Sequence, residues 1–137
     1  MPLEQEERIQ IPLHGKAVSR CIVGYRFGFE FLNDGEEISV WVGSQFQIRQ
    51  KAEEWDVDPE NKGTELCKAL ILFGKVATQA FAFIDGRLVI AFTDDIVLSV
   101  PPHPQYEAWE LYGSSGRRII STPGGGLAIW NPLDELA

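Results

Sequence analysis

Two histidines, two cysteines and a run of carboxylates are the side chains here whose types and spacing could do chemistry. His103 stands in "PPHPQYE" with Glu107 four positions on. A general base held by an orienting carboxylate needs that pairing. It would make residues 101–110, with Tyr106, the site of a small hydrolase or small-molecule-binding protein. Against this, no motif specifies a nucleophile, since Ser114, Ser115 and Ser121 lack a G-x-S-x-G context. The competing reading is a loop histidine in a stiff polyproline turn. His14, in "PLHGK", and the widely separated Cys21 and Cys67 make no zinc spacing. Both cysteines lie in apolar patterns and read as buried, reduced thiols. Asp56, Asp58 and Glu60 in "DVDPEN" are spaced like oxygen ligands of a calcium loop, but the loop glycine and the distal glutamate are missing. "STPGGGLAIW" lacks the lysine of a phosphate loop and leads into an apolar strand. Neither a metal nor a cofactor is expected, and enzymatic activity is disfavoured.

A binding surface is the stronger reading. In "KAEEWDVDPENKG", Glu53, Glu54, Trp55, Asp56 and Asp58 combine one large aromatic with four carboxylates in an acidic segment rich in structure breakers, read as a loop. A desolvated tryptophan ringed by charge suits a protein-binding hot spot. A tryptophan that pins the loop to the core, with Asp58 capping a helical turn, is the commoner arrangement. The formal charge of -8, from 20 acidic and 12 basic residues, repels nucleic acid and favours a basic protein partner. Small size, acidity and the lack of a catalytic motif point to a non-enzymatic binding module. An inhibitor or immunity protein against a basic toxin is its narrower form. "MPLEQEERIQ" has no apolar run of the secretory kind, and no stretch reaches the ~20 apolar residues of a membrane span. The cytoplasm is the expected location, with no membrane partner.

These residues need a scaffold. A chain of 137 residues, 45% hydrophobic, supports one domain with one core. Residues 1–12 read as a flexible segment, 13–131 as a single β-rich domain and 132–137 as a tail. Tyr25, Phe27, Phe29 and Phe31 alternate with polar or small residues, Asn33-Asp34-Gly35 turns the chain, and Ile38, Val40 and Val42 resume the alternation. Trp41 falls out of phase with its valine neighbours. "FQIRQ" extends the meander. "TELCKALILFGK" carries Leu66, Ala69, Leu70 and Phe73 at helical spacing, with Thr64 as N-cap and Gly74 past the C-terminus. A second β block follows, with turns at Asp85-Gly86 and Asp94-Asp95, closed by Pro101, Pro102 and Pro104. "YEAWELYG", "RRIIST" and "LAIW" then read as strands. The fold class is α+β and β-rich: two antiparallel β blocks, one helix packed on a sheet, and a C-terminal β meander. A sandwich or half-open barrel is favoured over a closed barrel. Phe29, Phe31, Leu70, Phe73, Ile90, Trp109 and Trp130 are expected in the core. "LHGK" at 13–16 and "LFGK" at 72–75 suggest an internal duplication, as do Asp34, Ser39 and Val40 against Asp94, Ser99 and Val100 at a spacing of 60.

The two "GK" entries, "VPPHPQYEAWELYG" and "STPGGGLAIW" together resemble a bacterial family of uncharacterised proteins, DUF6188, from about Leu13 to Trp130. The resemblance implies a compact bacterial domain. It carries no established activity and no site residues.

Overall fold

A computed structural model describes residues 7–32, 35–60 and 64–130, with Thr64 described as backbone alone. The expected Asn33-Asp34 turn and the tail 132–137 lie outside the described residues. Alternation of apolar and polar residues produces strands β1 (Arg8–Gln10), β2 (Arg20–Val23), β3 (Phe27–Phe31), β4 (Ile38–Val42), β5 (Phe46–Gln50) and β6 (Glu53–Val57). A short helix α1 (Thr64–Lys68) runs into a 3₁₀ turn (Ala69–Leu72). Then come β7 (Ala77–Phe83), β8 (Leu88–Phe92), β9 (Ile96–Val100), β10 (Trp109–Gly113), β11 (Arg118–Ser121) and β12 (Leu127–Trp130).

The strands form two six-stranded antiparallel sheets, ordered β1-β7-β8-β9-β5-β6 and β12-β11-β10-β4-β3-β2. Phe27, Phe29 and Phe31 of one sheet and Leu88, Ile90 and Phe92 of the other are buried in a single core. The Phe27 and Phe46 rings meet across the sheets with centroids 5.7 Å apart. The fold is a β-sandwich in which each sheet buries one face.

Neither sheet belongs to one half of the chain. The meander β2-β3-β4 is completed by the later hairpin β10-β11, and β7-β8-β9 by the earlier hairpin β5-β6. At the crossing the two "L-x-G-K" segments lie antiparallel about an Ala17–Val76 bridge. Gly15 N–H donates to Ala77 O at 2.8 Å, and Gly74 N–H, 59 positions on, donates to Val18 O at 2.9 Å. Ala77 N–H to Lys16 O and Val18 N–H to Lys75 O, at 2.8 and 2.9 Å, form the reciprocal pair. Both glycines take positive φ, 82° and 80°. The bonds obey an approximate two-fold, which supports the duplication. The strand match at a spacing of 60 does not hold. Pairing places Trp41 opposite Gly28 and Glu110, and Ser99 opposite Val89 and Gln47, so Ser99 corresponds to Trp41, not to Ser39. The β8–β9 turn is shorter than its counterpart, closing on Asp94 and Asp95, both at positive φ as a tight hairpin requires.

Other expectations need correction. Leu66, Ala69 and Leu72 are buried, whereas Leu70 is 44% and Phe73 61% exposed. The 3₁₀ turn has three residues per turn, so the buried stripe repeats every third residue and Leu70 and Phe73 rotate outward. Trp130 is 48% exposed because β12 places it on the outer face, opposite Arg118. Within the segment 1–12, expected to be flexible, Arg8–Gln10 pairs with β7 and Ile11 is buried. "EEWDV", read within a loop, is the edge strand β6.

Candidate functional site

The proline-rich segment is built as architecture. His103 Nδ1 accepts the N–H groups of Gln105 at 3.0 Å and Tyr106 at 3.3 Å, and its ring lies 4.7 Å from the Tyr106 ring. One ring nitrogen is thus spent on closing the turn. Glu107 is exposed and, among the described residues, no hydrogen bond or ion pair joins it to His103. The His103 carbonyl accepts the N–H of Gly124 in the "PGGG" turn at 2.9 Å. Beside it, Gly86 of the "DG" hairpin accepts from Trp109 Nε1–H at 2.8 Å and from Ser121 Oγ–H at 2.9 Å. Gly86 has φ of 100°, and a Cβ there would come within 2.9 Å of Pro102. The three segments that stand out most in the sequence therefore lock one end of the sandwich.

The remaining candidates separate. His14 Nδ1–H donates to Thr78 O at 2.9 Å. Asp58 Oδ1 accepts the Glu60 N–H at 3.0 Å, a local turn in place of the expected helix cap. Among the described residues no three His, Cys, Asp or Glu side chains are grouped to hold a metal ion. Both cysteines are free; Cys21 is half-buried and burial pushes its thiol up to about 11. Cys67 is exposed on α1, not buried as its apolar neighbours suggested.

Strand β6 divides the acidic set. Its alternation turns Trp55 and Val57 inward, and Trp55 packs half-buried against the core with Lys68 Nζ 5.5 Å from its ring. Glu54 and Asp56 point to the opposite, outer face, and Glu53 and Asp58 are exposed. Four carboxylates remain exposed on this edge strand and just after it, but the tryptophan is not their companion.

Asp56 does join another feature, which the sequence reading missed. An open cleft of about 440 Å³ lies on the outer face of the first sheet. Its floor is the cross-strand row Val89, Ser99, Gln47 and Asp56, one residue from each of β8, β9, β5 and β6. Gln47 Nε2–H donates to Asp56 Oδ1 at 3.3 Å. At the other rim Arg87 pairs with Asp85 at 2.9 Å and lies 4.2 Å from the Phe83 ring centre. The arrangement offers a mixed floor between a cation and an anion and brings no nucleophile to a base. The available signal was Ser99, a small polar residue between the wide apolar positions of "IVLSV". On the second sheet a smaller cleft of about 250 Å³ lies beside Glu30 and Tyr112. Tyr112 O–H donates to Glu110 Oε1 at 2.7 Å, and burial, with that carboxylate, raises its ionisation above the usual phenol range.

Fold and clefts define a β-rich α+β sandwich with a cleft on the outer face of each sheet. The chain belongs to a family of unknown function, DUF6188, whose family model matches residues 9–131, from strand β1 to just past β12. Comparison with curated proteins gave no match, and comparison with solved structures gave none. Among the described residues no helix is long and apolar enough to cross a membrane.

Proposed function

We propose that this protein is a non-enzymatic binding module for a basic protein partner, in its narrower form a cytoplasmic inhibitor or immunity protein against a basic toxin. The observation that carries this reading is strand β6, the last strand of its sheet with α1 beside it, on which Glu53, Glu54, Asp56 and the following Asp58 are all exposed. An edge strand has backbone donors and acceptors to offer an incoming strand. Carboxylates along it repel a second copy of this acidic chain and attract a basic segment. The net charge of -8 adds long-range steering. A hydrolase at residues 101–110 gains no support from a histidine held in its own turn.

The test begins with affinity capture of the partner, followed by binding rates at two salt concentrations. Replacing Glu53, Glu54, Asp56 and Asp58 by Gln or Asn is expected to slow association about tenfold and flatten its salt dependence. Rates indistinguishable from those of the unmodified protein would reject the reading.

A further inference from the structure

The approximate two-fold allows one outer face to be read against the other, position by position. In the second sheet the row Gly28, Trp41, Glu110 and Ile120 crosses β3, β4, β10 and β11. In the first, Val89, Ser99, Gln47 and Asp56 cross β8, β9, β5 and β6 in the same register. Arg26 stands one residue before β3, as Arg87 stands one residue before β8. In the second sheet the place is filled from within. The Trp41 indole lies on Gly28, where an added Cβ would come within 2.5 Å of the ring. The Arg26 guanidinium sits 5.3 Å from the ring centre and is held by an ion pair to Glu110. In the first sheet a serine occupies the position of that tryptophan and Val89 the position of that glycine, and above them lies the open cleft of about 440 Å³.

We infer that this cleft receives an aromatic side chain, tryptophan above all, from the basic partner, lying over Val89 beside Arg87 and further from the sheet than Trp41, which rests directly on Gly28. Val89 and Pro101 supply apolar surface for the ring. Arg87 stands at the rim where Arg26 meets its indole, and a guanidinium beside an aromatic ring is attractive. Asp56 at the opposite rim, continuous with exposed Glu54 on the edge strand, selects a ring flanked by cations. The inference rests on the proposed basic partner. It supplies the anchor that Trp55, turned to the core, does not.

The experiment titrates the isotope-labelled full chain with three blocked tripeptides, Lys-Trp-Lys, Lys-Ala-Lys and Glu-Trp-Glu, following backbone amide shifts. Lys-Trp-Lys is expected to move the amides of Gln47, Asp56, Val89 and Ser99, and to bind at least fivefold more tightly than Lys-Ala-Lys. Ser99→Trp, which places an indole in the cleft, is expected to abolish those shifts while leaving the second sheet's amides in place. If that variant does not fold, Ser99→Leu blocks the same space. Equal binding of Lys-Ala-Lys would overturn the aromatic seat and leave the acidic reading standing. Equal binding of Glu-Trp-Glu would uphold the seat and remove the acidic reading. No shifts with millimolar Lys-Trp-Lys would overturn the seat.

Discussion

The carbonyl oxygen of Gly86 holds both Trp109 Nε1–H and Ser121 Oγ–H, so one acceptor ties the first sheet's hairpin to two strands of the second. Trp109→Phe keeps most of the ring and leaves Ser121 on that oxygen; the expected cost is about 1 kcal/mol. Trp109→Ala also opens a cavity and is expected to cost about 3–5 kcal/mol. Urea midpoints of the two variants decide whether packing or the hydrogen bond dominates, and equal losses would refute the division. The two cysteines give a second contrast. Cys67 is exposed, whereas the half-buried Cys21 thiol is pushed up to about 11 from an ordinary 9.0. Only the thiolate reacts, so iodoacetamide is expected to modify Cys67 first at neutral pH, with Cys21 following as the pH approaches 11. Below 9.0 the thiol is protonated in both the folded and unfolded chain; between 9.0 and about 11 only the unfolded chain releases its proton. Stability is therefore lost as pH rises through that window, by on the order of 1 kcal/mol after discounting for solvent around a half-exposed group. Cys21→Ala removes that component of the slope, and an unchanged slope would exclude it.

At the scale of elements, most strands were legible because one face of each is buried and the apolar positions alternate. Phe27, Phe29 and Phe31 need no more than that, and the Asp85-Gly86 and Asp94-Asp95 turns name themselves by their tolerance of positive φ. Strand β6 was not legible. An edge strand is wet on its outer face and, at Glu53, on its inner face as well, so "EEWDV" lacks the pattern that marks a buried strand. The helix misled for a different reason: "ELCKALILF" fits a period of 3.6, but the chain tightens to 3₁₀ after Lys68 and chooses Leu72 in place of Leu70 and Phe73. The cleft was invisible because it exists only when four strands, two from each half, lie side by side. One consequence reverses the role first given to Trp55. Packed against the core, it is expected to cost about 2–4 kcal/mol when truncated to alanine, while Glu54→Gln and Asp56→Asn each stay within about 0.5 kcal/mol. Thermal or urea unfolding of the three variants checks this, and a neutral Trp55→Ala would return the residue to the surface.

For the whole molecule, the exchange of hairpins makes each half the completion of the other. β5 pairs with β9 and β10 with β4, so neither half contains a finished sheet. Fragments 1–62 and 63–137 are each expected to lack a cooperative fold alone and to form a folded one-to-one complex when mixed. Circular dichroism and amide spectra of each fragment and of the mixture decide it, and a monomeric fragment that folds by itself would show that the exchange is dispensable. Strand pairs so distant in sequence also place folding in the slow, ms–s regime of all-β proteins, roughly speaking.

The same interlock bears on how the chain leaves the ribosome. Strands β4 and β5 are complete by Gln50, but their partners β10 and β9 end only at Gly113 and Val100. At the ~5–20 residues per second of translation, several seconds pass in which both strands have an unpaired edge and an uncovered apolar face. During that interval nascent chains on one message carry identical edges ready to pair with each other. Slowing translation downstream of codon 62 should therefore lower the yield of folded protein, and supplying the second half in trans should restore it.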